Sequence, residues 1–263
     1  MSATAGVDSI NDAIAEEKAP YMQPALSTET ELIRGLWNAD TNQFDTKAQV
    51  REMDGTDEEA LAVLAAKDGV SFGEYLTALL GRTVISIGDT PITSPSVLDT
   101  LINGDRDILY LAVIRATYGL IRTVQAACNS CGEKNDIDIE LDKDFIYKKP
   151  DFKVDSPIEI KGRNRTYLFN IPTGADTTAA SKCKNDAEAN TLILSRCAVF
   201  SAEDEPSNRL EWARKINLGD RHKIVDRLLS IELGPKLGAV NTHCAHCEVD
   251  MTVALNWVSL LLG

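Results

Sequence analysis

A chain of 263 residues, 44% apolar and 25% charged, can bury a sizeable core in one large domain or two smaller ones. Its formal charge of −13 argues against a nucleic-acid surface, because phosphate binding needs a dominant basic patch. Its longest apolar runs, Ile108 to Ile114 and Val253 to Leu262, are too short or too interrupted to span a bilayer, and no basic stretch leads into an apolar run at the start, so neither a membrane span nor a secretory signal is expected.

Much of the acidity is local. Residues 1–60 hold 13 Asp and Glu against 4 Lys and Arg, which reads as a solvated face and tail or as a surface for a basic partner. Residues 1–28 are small, polar and acidic, with Pro20 and Pro24 and weak periodicity. The expectation over 1–30 is an extended or flexible arm that orders only against a neighbour, with room for a short helix around Asp8 to Glu17. Thr28-Glu29-Thr30-Glu31 has the form of a capping box opening a short helix through Trp37. Lys47 to Met53 reads as a strand, and Thr56 or Asp57 as the cap of a helix over Glu58 to Ala66. A helix over Phe72 to Leu80, a strand over Thr83 to Ile87 and a Gly88–Pro91 loop follow.

Asp105 is placed as the N-cap of a helix over Arg106 to Tyr118, and Gly119 fits the left-handed position past its end. A strand over Leu120 to Ala126, the pair Cys128-Asn129-Ser130-Cys131, and the alternating Ile137, Ile139 and Leu141 make a hairpin, the form of half a zinc ribbon. Lys148 to Pro157 reads as a joint. Beyond it come an extended Tyr167 to Ile171, a turn at Pro172-Thr173-Gly174, a helix of roughly Asp176 to Arg196 and an acidic loop over Ala202 to Ser207. Asp220 then caps a helix that stops before Gly234-Pro235. The second hairpin spans Gly238 to Trp257 around Cys244-Ala245-His246-Cys247.

The two halves match in order. Cys128 and Cys131 precede Cys244 and Cys247 by 116 positions, while Asp105, Arg106 and Gly119 precede Asp220, Arg221 and Gly234 by 115. At the latter offset Leu109, Val113 and Ile114 fall on Ile224, Leu228 and Leu229; upstream, Leu79-Leu80-Gly81-Arg82 falls on Ile193-Leu194-Ser195-Arg196 at 114, and Gly55 on Gly174 at 119. Small drifts in offset are what loop insertions produce. The expected fold is therefore α+β: two tandem pseudo-repeats of helices plus a CxxC hairpin, 31–147 and 148–263, with the hairpins together forming a split zinc ribbon. Two copies are too few for a solenoid and suit a pseudo-twofold arrangement in which the hairpins meet.

A structural zinc takes four soft donors at about 2.3 Å, and Cys128, Cys131, Cys244 and Cys247 supply them from two segments. The 112 residues between the pairs far exceed the 15–20 of an ordinary ribbon; one pair per repeat accounts for the gap. In a reducing cytoplasm, two redox-active or simply reduced pairs, or disulfides, are the alternatives. His243 and His246 can replace a thiolate, but with four cysteines present a supporting or exposed position is expected. Cys183 and Cys197, without paired neighbours, read as small buried hydrophobes. Arg106 and Arg221 begin helices, where the dipole disfavours a cation, so each calls for a fixed carboxylate or carbonyl partner. His222 has no evident nucleophile beside it, and the sequence holds no Walker loop, Rossmann fingerprint or HExxH motif. The expectation is a protein that is not an enzyme.

The string Val50-Arg51-Glu52-Met53-Asp54-Gly55-Thr56-Asp57-Glu58-Glu59 resembles an R-E-x-x-G-x-D-E-E segment, and Gly104-Asp105-Arg106, Thr117-Tyr118-Gly119 and Cys128-Asn129-Ser130-Cys131-Gly132 resemble a GDR…TYG…CxxCG core. Both are features of baseplate hub and hub-assembly proteins of contractile-tailed, T-even-like bacteriophages, and the resemblance covers about residues 48–141. The long acidic arm and His246 within the second pair depart from it. The resemblance implies a non-enzymatic structural or assembly part in the tail baseplate. It also implies contact with other baseplate, hub or tail-tube proteins in a multi-subunit assembly, and location in the virion after assembly in the host cytoplasm. The competing expectation from the cysteines is a zinc-ribbon adaptor in transcription or nucleic-acid processing, which the net charge disfavours. A dithiol oxidoreductase is the third.

Overall fold

The computed structural model describes residues 27–263 except 146, 148–149, 151, 232, 237–238, 256–259 and 262–263. The short helix expected around Asp8 to Glu17, and nearly all of the expected arm, lie outside the described residues. The fold is α+β. The first half runs β1 (Ser27–Asn38), β2 (Gln43–Arg51), α1 (Gly55–Ala65), α2 (Phe72–Thr83), β3 (Val84–Ile87), β4 (Thr90–Pro91), a 3₁₀ turn (Pro95–Thr100), α3 (Asn103–Tyr118), β5 (Ile121–Ala127), β6 (Lys134–Glu140) and the single turn α4 (Leu141–Asp144). The second runs β7 (Ile158–Lys161), β8 (Thr166–Phe169), α5 (Gly174–Ser181), α6 (Asp186–Cys197), β9 (Ala198–Val199), α7 (Arg209–Lys215), α8 (Leu218–Ser230), β10 (Ala239–His243) and β11 (Asp250–Ala254). In each half an antiparallel strand pair is followed by two helices and a strand that pairs back onto its second member, β1-β2-β3 and β7-β8-β9. A long helix and a two-stranded hairpin, β5-β6 or β10-β11, then close it. No helix among the described residues is long and apolar enough to cross a membrane.

Four local expectations are corrected. The segment through Trp37 is strand β1, not a helix: pairing with β2 in register from Ser27↔Arg51 buries Leu32, and that tertiary gain overrides the local capping pattern. Asp105 is not a cap, because α3 begins two residues earlier, behind Ile102. Its buried carboxylate instead accepts the backbone N–H groups of Ile33 (2.6 Å), Arg34 (3.3 Å) and Gly35 (2.8 Å), where β1 loses register with β2. Gly35 has φ 79° there, and a Cβ would collide with the Asp45 carbonyl, so only glycine fits. The helix expected over Asp176 to Arg196 is two, α5 and α6, because Asn185 caps a new helix by accepting the Glu188 N–H at 3.0 Å. Asp54 and Asn217, rather than Thr56 or Asp57 and Asp220, cap α1 and α8.

Two polar devices recur in the halves. Arg106, which is buried, donates through one Nη to the Gly73 carbonyl (2.9 Å) and the Thr77 hydroxyl (2.7 Å) on α2. Arg221 does the same to the Ala187 carbonyl and Thr191 hydroxyl on α6, both at 2.7 Å. The carbonyl partners expected for these arginines are therefore present. Asp57 closes the capping box of α1 and binds Arg82 Nε at 2.7 Å; Asp176 closes that of α5 and binds Arg196 Nε at 2.6 Å. Asp57 also takes Arg51 at 2.7 Å.

Two cores result. One gathers β1–β3, α1–α3 and hairpin β5-β6; the other gathers β7–β9, α6 and α8. Leu255, Leu260 and Leu261, which follow the second hairpin, are buried in the first core, and Arg122 of β5 donates to the carbonyls of Leu260 (2.8 Å) and Leu261 (3.1 Å). The matched stripe is buried in both halves at Leu109 and Ile224 and at Val113 and Leu228, but Ile114 is buried where Leu229 is exposed.

Burial pushes the Asp57 carboxyl up, but Arg51, the Asp54 N–H and Arg82 together hold it below the ordinary Asp value. Its contribution to stability should be complete above about pH 4 and be lost as pH falls through the depressed value. Asp57→Asn should lower unfolding stability by about 2 kcal/mol at neutral pH by removing the buried charge that Arg51 and Arg82 both bond, and should flatten the acid limb of a urea-unfolding pH series. An unchanged acid limb would contradict this role.

Candidate metal centre

Each CxxC pair sits at the tip of its hairpin, and the two tips have one geometry. In the first, the Cys128 N–H donates to Glu133 O (2.8 Å), Gly132 N–H to Cys128 O (2.9 Å) and Ser130 N–H to Cys128 Sγ (3.4 Å). In the second, the Cys244 N–H donates to Val249 O (2.9 Å), Glu248 N–H to Cys244 O (2.9 Å) and His246 N–H to Cys244 Sγ (3.4 Å). These bonds match at the 116-residue offset. Gly132 turns the first tip at φ 78°, and Glu248 holds the equivalent position at φ 59°, where a side chain is strained.

The two tips meet, and all four sulfurs lie within 4.8 Å of one another. Cys128 Sγ is 3.8 Å from Cys247 Sγ, and Cys131 Sγ is 3.7 Å from Cys244 Sγ. Exchanging the hairpins maps one of these contacts on the other, so the cluster has pseudo-twofold symmetry. A disulfide requires about 2.05 Å, and all four thiols are free. A tetrahedral ion with about 2.3 Å bonds to sulfur would set its ligands about 3.8 Å apart. Ala126, Met251 and Val253 pack around the buried Cys128 and Cys244 and shield that side from water.

Electrostatics separates Cys128 and Cys244 from Cys131. Burial acts upward on Cys244, but the N–H groups of His246 and Cys247 and the Asn135 side chain outweigh it and bring the thiol down to about 6. The Cys131 and Ser130 N–H groups likewise lower Cys128. Cys131 moves to about 12: a backbone hydrogen bond at Glu133 opposes the rise, but burial and the neighbouring sulfurs of Cys247, Cys244 and Cys128 outweigh it. Adjacent sulfurs resist joint ionisation unless a cation lies among them.

Asn135 is the residue that sequence reasoning missed. It is buried at the start of β6, donates to Glu133 O (3.0 Å) and accepts the Ala245 N–H (2.8 Å), tying the second tip to the first hairpin. No periodic or spacing pattern in the sequence marks it. His243 pairs across its hairpin with Asp250 at 2.7 Å, and His246 is exposed; neither joins the sulfur cluster. Cys197 is buried with its thiol pushed up to about 12, chiefly by burial, and the half-buried Cys183 contacts Ala179 O; both stand apart from the four. His222 lies exposed on α8.

Compared with known proteins, the chain matches no protein-family model, no curated protein and no solved structure.

Glu248→Gly should relieve the left-handed strain and stabilise the folded protein by about 1 kcal/mol, measured as a rise in urea midpoint. A decrease would show that the Glu248 side chain contributes more than its backbone costs.

Proposed function

We propose that Cys128, Cys131, Cys244 and Cys247 bind one structural zinc ion and that the two hairpins together form a split zinc ribbon. The observation that carries this reading is the convergence of four sulfurs from two chain segments at tetrahedral spacing. Soft thiolate donors in a closed set of four favour zinc over the hard cations, and a closed shell leaves no position for a substrate. All four cysteines would serve as thiolate ligands to the ion. The chemistry it supplies is cohesion: structural zinc contributes on the order of 10 kcal/mol, whereas a two-stranded hairpin alone is marginal.

The two halves are, on this reading, copies of one module, residues 31–147 and 148–263. The repeated strand order, the matched arginine and aspartate contacts and the matched hairpin tips support it. The protein then acts as a zinc-stapled scaffold, a structural or assembly component of a phage tail baseplate in its hub region, contacting other tail proteins. The residues behind that resemblance, Arg51, Asp57, Asp105 and Arg106, spend their polar groups on contacts within the fold. That use suits a part whose product is shape.

Elemental analysis of protein purified without added metal should give about one zinc per chain, and a chelator should lower the melting temperature and expose four titratable thiols. Metal-free protein with an unchanged melting temperature would overturn the zinc reading. For the assembly role, mass spectrometry of purified tails or tail intermediates from the encoding phage should detect the chain, and Cys128→Ser should arrest tail assembly. Complete, infectious particles formed without the gene would contradict it.

A further inference from the structure

The helix pair α6–α8 of the second half carries an apolar groove that no described residue covers. It encloses about 630 Å³ between these helices, α5 and the start of α3, and its apolar lining includes Ile171, Ala189, Ile193, Val225, Leu228 and Leu229. The first half shows what such a groove contains when it is closed. At the matched positions Leu79, Tyr110, Val113 and Ile114 are buried there, and Ile114 is 0% exposed where Leu229 is 74% exposed. Two features close the first groove. Bulk is one: Tyr75 and Tyr110 stand where Ala189 and Val225 do. The other is company: the first hairpin's Val124, Ile137 and Ile139, with Leu260 and Leu261, are buried in the same core cluster as these residues. The second half lacks both. Its hairpin is drawn away to meet the first, so Val240, Val253 and Leu255 pack with the first core, and no described residue beyond Leu233 joins the second.

We infer that the segment preceding β1 docks in this groove of its own chain, with Val7, Ile10 and Ile14 as its contact residues. These aliphatic side chains are spaced by three and four positions, as one face of a helix requires, and acidic Asp8, Asp12, Glu16 and Glu17 fall between and after them. The reach is sufficient. From Ser27 to Ile33 the strand covers about 20 Å, Ile33 bonds Asp105, and the adjacent Gly104 and Asn103 line the groove. Residues 15–26 can extend about 40 Å, more than that separation. The inference is independent of the metal.

Hydrogen exchange read by mass spectrometry on the full chain tests it, compared with a chain starting at Ser27 and with a full-length Ile10→Asp, Ile14→Asp variant. Amides of α6 and the second half of α8 should exchange roughly tenfold more slowly in the full chain than in either variant. A synthetic peptide of residues 1–26 should restore protection to the shortened chain. The double variant keeps the test decisive if the shortened chain fails to fold. Equal exchange in the full chain and the double variant would overturn the inference. Protection that disappears on dilution would also overturn it, by showing that a second copy supplies the segment.

Discussion

Four sulfurs from two hairpins occupy a volume in which four negative charges cannot coexist without a cation, and the second hairpin is placed at that meeting. The second hairpin leaves the helices it follows and lies against the first. Its apolar face and the residues beyond it, Leu255, Leu260 and Leu261, therefore enter the first core. The Arg122 contacts to the Leu260 and Leu261 carbonyls and the Asn135 contact to Ala245 reinforce the same crossing. With the proposed zinc in place, one interaction would account for the registration of the tips, the closure of the first core and the open groove left on the second.

Away from the sulfurs, the fold relies on charged side chains that satisfy backbone groups. Asp105 holds the irregular turn of β1, and Asp220 holds the β7–β8 turn by accepting from the Arg163 N–H (2.8 Å) and the Tyr167 hydroxyl (3.1 Å). Arg106 ties α3 to α2, and Arg221 ties α8 to α6, each through a carbonyl and a threonine hydroxyl. Buried groups of this kind cost little when fully partnered and much when one partner is removed. The matched contacts in the two halves are of this kind.

The sequence made the cysteine set legible because CxxC spacing is local, and the near-constant offsets gave the order of elements in the halves. The pairing of Cys128 with Cys247 and Cys131 with Cys244 depends on how two distant hairpins approach, which no local pattern encodes. Strand β1 was hidden because Thr28 to Glu31 satisfies a helix-start pattern, and only pairing with β2 overrides it. Asp105 followed a glycine and preceded an apolar run, the pattern of a cap, while its true partners lie about 70 positions away. Asn135 gave no periodic or spacing signal, since its role lies in one backbone contact across the two tips.

X-ray absorption at the zinc edge of the purified full chain tests the central claim most directly. The account predicts a single shell of four sulfur atoms at about 2.3 Å, unchanged when His243 and His246 are both replaced by alanine. A shell containing nitrogen or oxygen, fewer than four sulfurs, or no zinc would contradict it.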